Sequence, residues 1–100
     1  MRNVLLPMTS LAPMDLTRCT EAARRLLEEL GLAAYRFAIE PGETSWELRL
    51  ECSAPEGWSS LVVPFDHEAL AATLVDPVAH ERMLDSWRDE LRGCRLLPRS

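Results

Sequence analysis

Apolar residues recur at three- and four-residue steps between residues 15 and 30. Leu16, Cys19, Ala23, Leu26, Leu27 and Leu30 share one side of a helical projection, which predicts an amphipathic helix. Charges fill the other side, where Glu21–Arg25, Arg24–Glu28 and Arg25–Glu29 stand one turn apart. Asp15 or Thr17 can cap the start, and Gly31 followed by Leu32 supplies a left-handed stop with its apolar contact. The period then drops to two. Tyr35, Phe37 and Ile39 alternate with Arg36, Ala38 and Glu40, and Trp46, Leu48, Leu50 and Cys52 alternate with Glu47, Arg49 and Glu51. A turn confined to Pro41-Gly42 pairs Phe37 with Trp46 and Tyr35 with Leu48. Pro-Gly suits a type II turn, which fits a hairpin poorly, so a longer loop is the alternative.

The third strand, around Leu61-Val62-Val63-Pro64-Phe65, has two registers against the second. One pairs Cys52 with Trp58 and puts Leu61, Val63 and Phe65 on the charged face. The other pairs Leu50 with Leu61, Leu48 with Val63 and Trp46 with Phe65. The second matches apolar to apolar, because a one-residue slip flips every side chain. It makes 53–58 a loop, pushes Trp58 out of the ladder, and requires Pro64 to turn its missing N–H toward a sheet edge.

Asp66 caps a short helix over 67–75. Asp76-Pro77 opens a third over 77–92, striped by His80, Met83, Leu84, Trp87 and Leu91, with Cys94 continuing the stripe. The predicted fold class is therefore α+β, two-layered, with a three-stranded antiparallel meander and helices packed on one face in the order α-β-β-β-α-α. Arg36, Glu40, Glu47, Arg49 and Glu51 mark the face left to water. Residues 1–14, interrupted by Pro7 and Pro13, read as a flexible N-terminal tail, with Met8 and Met14 as alternative starts to Met1. Residues 15–95 form the domain, and 96–100 a frayed end.

Composition narrows the function without naming it. One domain of 100 residues, 47% hydrophobic and with a net charge of −5, excludes a multidomain enzyme and a basic nucleic-acid clamp. No apolar run approaches the roughly 20 residues of a membrane span. All eleven basic residues are Arg, with no Lys and no Gln, the usage of a GC-rich bacterial genome. Without Lys there is no Schiff base and no P-loop lysine. Cys19, Cys52 and Cys94 lack metal-knuckle spacing, and their odd count points away from a secreted disulfide scaffold. They read as small buried hydrophobes in a reducing cytoplasm. No cofactor or metal motif is present.

Two groups of side chains are candidates for a site. Trp58, with Gly57, Glu56 and Pro64 around it, lies off the core face, and an exposed Trp is a typical interface anchor. Folding over the sheet edge is its bland alternative. Asp66, His67 and His80 form the polar candidate, for metal or acid–base work. Helix capping explains Asp66 and His67 equally well, a half-buried histidine explains His80, and Glu81 should point away from it.

The helix–three strands–helix order resembles the double-stranded RNA-binding domain in topology, although Asp66-His67-Glu68 stands where phosphate would need positive charge. Size, acidity and the Leu-rich first helix resemble the small acidic chaperones of type III secretion, which implies a chaperone-like dimer. The expectation is a non-enzymatic cytoplasmic domain that binds another protein or itself, with neither nucleic acid nor membrane as partner. A small metal-binding protein or enzyme built on His67, Asp66 and His80 is the alternative.

Overall fold

The computed structural model describes the backbone of residues 5–98 and the side chains of residues 15–98. Six elements follow in order: α1 (Leu5–Leu30), β1 (Tyr35–Glu40), β2 (Trp46–Ala54), β3 (Gly57–Phe65), α2 (His67–Ala72) and α3 (Pro77–Glu90). The strands form one antiparallel sheet in the order β1-β2-β3, so the α+β meander with its flanking helices is as the periodicity predicts.

The central strand organises the core. Trp46, Leu48, Leu50, Cys52 and Ala54 are buried along one face of β2, while the residues between them are not. Cys19, Ala22, Ala23, Leu26 and Leu27 of α1, Leu70 of α2, and Leu84 and Trp87 of α3 close over that face. Phe65 meets the Trp87 ring edge-on at 6.3 Å, joining the end of β3 to α3. Asp66 caps α2 by accepting from the Ala69 N–H at 3.2 Å, and Asp76 caps α3 by accepting from the Val78 N–H at 2.9 Å. The Thr73 hydroxyl donates to the Leu70 carbonyl at 2.7 Å, so the one polar side chain buried among the described residues is satisfied.

The β2–β3 register is the apolar-matched one: Leu50↔Leu61, Leu48↔Val63 and Trp46↔Phe65. The ladder extends further than expected, to Ser53↔Trp58 and Ala54↔Gly57, leaving only Pro55 and Glu56 as the turn. Gly57 has φ +120°, a conformation that glycine adopts without strain and that allows so tight a connection. Trp58 therefore stands inside the ladder. The first hairpin differs as well. Phe37 pairs with Leu50 and Tyr35 with Cys52, a shift of four residues from the two-residue-turn register. Residues 41–45 form the longer connection, and a Cβ on Gly42 would collide with the Ser45 carbonyl. The shift is even, so every side chain keeps its face.

Two further differences concern the ends. Residues 5–14 continue α1 where a tail was expected, which places Asp15 and Thr17 within the helix instead of at its cap. Pro7 falls in the first turn, where a missing N–H costs no helical bond. Residues 1–4 of that expected tail lie outside the described residues. At the other end the chain is pinned. Ala33 donates to the Arg95 carbonyl at 2.8 Å, Arg95 to the Ser53 carbonyl at 2.7 Å, and Leu97 to the Gly31 carbonyl at 2.7 Å.

That C-terminal segment is also covalently held, because Cys52 and Cys94 form a disulfide. Pattern placed both cysteines correctly on apolar positions, but spacing along the chain carries no information on which cysteines meet in space. Disulfides persist in oxidising compartments, so the bond removes the support that an odd cysteine count lent to a cytoplasmic location. Its loop spans 42 residues, for which the chain-entropy account gives about 4 kcal/mol. Reduction, or Cys94→Ala, should lower stability by about 2–4 kcal/mol, read as an earlier urea midpoint. An unchanged midpoint under reductant would show that the bond contributes nothing.

Candidate functional site

Because the helices cover one face of the sheet, the other is open. It carries Arg36, Ala38 and Glu40 from β1, Glu47, Arg49, Glu51 and Ser53 from β2, and Trp58, Ser60, Val62 and Pro64 from β3. Four of the five charges form two pairs, and the fifth, Glu40, stands opposite Glu47. Arg36 donates to Glu51 across the strands at 2.5 Å, and Arg49 meets Glu47 at 3.3 Å. The apolar side chains gather on β3, where Trp58 is 67% and Val62 53% exposed. Between these two rows a shallow groove of about 380 Å³ crosses the sheet from Arg36 and Ala38, past Arg49 and Glu51, to Ser60 and Val62.

The groove ends on an unusual sheet edge. Gly57–Phe65 reads GWSSLVVPF, nine residues without a charge. In an antiparallel pair, alternate residues direct both N–H and C=O toward the partner strand and the residues between direct theirs away. The two-residue turn makes Ala54 and Gly57 a hydrogen-bonded pair, and Pro64, opposite Glu47, has no N–H to give. Both facts set the same phase. Trp58, Ser60 and Val62 turn their backbone groups outward, on the side away from β2. Proteins usually blunt such an edge with charge, bulges or a covering segment. Here Pro64 alone does so, at one end. β1, the other edge, is shorter and carries Arg36 and Glu40.

The expected interface residues share one strand edge without gathering at one spot, since Pro64 lies about 20 Å along β3 from Trp58. Gly57, Trp58 and Pro64 lie on β3 and Glu56 in the turn before it. Sequence reasoning missed Val62 and Ser60. Their alternation with Leu61 and Val63 marks them as outward-facing, but the signal appears only once the ladder is known to run through Trp58.

The polar candidates do not converge in one site. His67 stacks on Trp46, rings 4.7 Å apart and 17° from parallel, and its Nε2 lies 4.0 Å from Asp15. Asp66 is engaged as the α2 cap. His80 belongs to a different cluster, its Nε2 2.9 Å from a Glu29 carboxylate oxygen. Glu29 therefore pairs with α3 and not with Arg25 as the helical spacing predicts. Among the described residues, the group whose ligand atoms fall within 4.8 Å of one another is Glu29, His80 and Glu81, so Glu81 does reach His80. That trio offers three of the ligands a divalent metal uses, but it contains neither Asp66 nor His67, and both its carboxylates are exposed.

Cys19, the free cysteine, lies beside His67 without forming a nucleophile pair. Its thiol donates to the His67 backbone carbonyl at 3.4 Å, not to the ring. Burial pushes the thiol up to about 11, and the negative charges of Asp15 and Asp66 add to the shift. An activated cysteine needs the reverse, an electropositive and accessible setting. On α1, by contrast, hydrogen bonds from Arg24 and Arg25 hold the exposed Glu21 carboxyl down to about 2.

No protein-family model matches this chain, and neither the curated proteins nor the solved structures contain a match to it.

Cys19 gives a prediction with a definite sign. Its folded pKa lies above the ordinary value of 9.0, so the folded state keeps a proton that the unfolded chain loses. The neutral thiol's contribution is complete below about pH 9 and should decline as pH rises from there toward 11. Cys19→Ala should lack that part of the alkaline decline. A thiol reagent should label wild-type Cys19 only after unfolding, whereas rapid labelling of native protein would contradict the buried assignment.

Proposed function

We propose that this protein is a non-enzymatic protein-binding domain that docks its partner on the open sheet face and along the β3 edge. The observation that carries the reading is the coincidence, on one nine-residue strand, of no charge, outward backbone groups and two exposed apolar side chains, Trp58 and Val62. Edge strands of this kind accept an added strand, whose main-chain bonds supply affinity while alternate side chains supply selectivity. Trp58 fits the anchor role, since aromatic side chains dominate interface energetics. The groove beside it, walled by Arg36 and Glu51, offers a polar rim to the same partner.

Nucleic acid is not the proposed partner. The two arginines of the open face are each matched by a glutamate, and phosphate recognition needs unmatched positive charge. A membrane is not proposed either, and among the described residues no helix is long and apolar enough to cross one. The metal or acid–base alternative is not preferred, since Asp66 caps α2, His67 lies against Asp15, and His80 pairs with Glu29 in a different cluster.

A photo-crosslinking residue at position 62 should give discrete crosslinked products in the cells that naturally make the protein. One at Asp85, exposed on α3, should not. Equal products from both, or none from position 62, would remove the reading. Trp58→Ser should leave stability within about 0.5 kcal/mol, as for other exposed sites, while weakening the products formed at position 62. A large loss of stability would mean that Trp58 serves the fold.

A further inference from the structure

Resting on that docking surface, we propose that its occupant is a second copy of this chain, paired β3 to β3 antiparallel about a two-fold axis through Ser60. The strand is self-complementary in this register. Ser60 faces Ser60 of the second copy, and Trp58 faces Val62 on both sides of the axis, an aromatic against β-branched pairing that stabilises sheets. The outward N–H of Trp58, Ser60 and Val62 each donates to a carbonyl of the second copy, and each of their carbonyls accepts in return. Pro64, which has no N–H, falls beyond the ladder opposite Glu56. Moving the axis by one residue, to Leu61, would bring Pro64 opposite Trp58 and leave the Trp58 carbonyl unpaired.

Charge and burial favour the same occupant. No charged residue of β3 meets its own image, because Gly57–Phe65 contains none. The next column inward on the open face is Glu47, Arg49 and Glu51, already neutralised in part by Arg36 and by the Arg49–Glu47 contact. On the helix side, Leu61 points toward the core yet stays half-buried, unlike Val63 and Phe65 further along the strand. In the proposed pair the two Leu61 side chains lie diagonally across the axis, within reach of one another. A two-fold axis through an antiparallel strand pair stands perpendicular to the sheet, so both helical layers fall on one side. The two grooves then join end to end across a six-stranded sheet at Ser60.

Sedimentation of the full chain at about 100 µM, a concentration that populates even weak dimers, tests this directly. Wild type should sediment as a dimer. Ser60→Lys and Ser60→Glu should each be monomeric, because like charges then oppose one another at the axis, and an equimolar mixture of the two should regain the dimer. Amide exchange on wild type needs no variant: Ser60 and Val62 should exchange at least about tenfold more slowly at high than at low protein concentration. A monomeric wild type with concentration-independent exchange would overturn the proposal. So would variants that dimerise singly, or a mixture that stays monomeric. If wild type is monomeric while position 62 crosslinks to proteins of other masses, self-pairing fails and the docking surface stands.

Discussion

The structure depends on burying one face of β2. Trp46, Leu48, Leu50 and Cys52 form a continuous apolar row, and each helix contributes side chains that close over it. Removing one such contact is expensive: truncation of a fully buried leucine such as Leu48 typically costs about 2–5 kcal/mol, through lost transfer energy and the cavity left behind. In a domain of this size that is a large share of the total stability. The disulfide reinforces the same row from the end, because Cys52 is its last fully buried member and Cys94 ties the C-terminal segment to it.

One-sided burial determines what is left over. Three helices supply apolar stripes for a single sheet face, so the opposite face must satisfy itself with water, ion pairs and whatever partner it meets. On β1 and β2 four of the five charges answer one another, as Arg36–Glu51 and Arg49–Glu47, and Glu40 is left to water. β3 has no charge to use and presents Trp58 and Val62 instead. Elsewhere the polar clusters have structural work: Asp66 and Asp76 cap helices, Glu29 and His80 join α1 to α3, and the Cys19 thiol is buried and held neutral. The open face is the region whose features the fold itself does not use.

Most of the architecture was legible in the sequence because periodicity reports which face is buried. The change from a 3.6 to a 2 period after Gly31 located β1, and parity alone selected the β2–β3 register. Parity could not set the first hairpin, since a four-residue shift leaves every side chain on its expected face. The start of α1 was hidden because Pro7 and Pro13 mimic helix breakers. The Cys52–Cys94 bond and the Glu29–His80 contact join residues 42 and 51 positions apart, a distance that no local pattern encodes. Of the site, Trp58 was visible as a tryptophan off the core face. Its place in the ladder was not, because that depends on Gly57 adopting a backbone conformation closed to most residues. Without it the outward phase of Ser60 and Val62 could not be assigned.

The central claim is that the face left bare by the helices is covered when the protein works. Hydroxyl-radical footprinting of the three tryptophans measures this most directly, comparing dilute purified protein with protein in the cells that make it. Trp46 and Trp87, both buried, serve as internal references. The account predicts that Trp58 is readily oxidised in the dilute protein and protected in cells. Equal oxidation of Trp58 in both settings would contradict it.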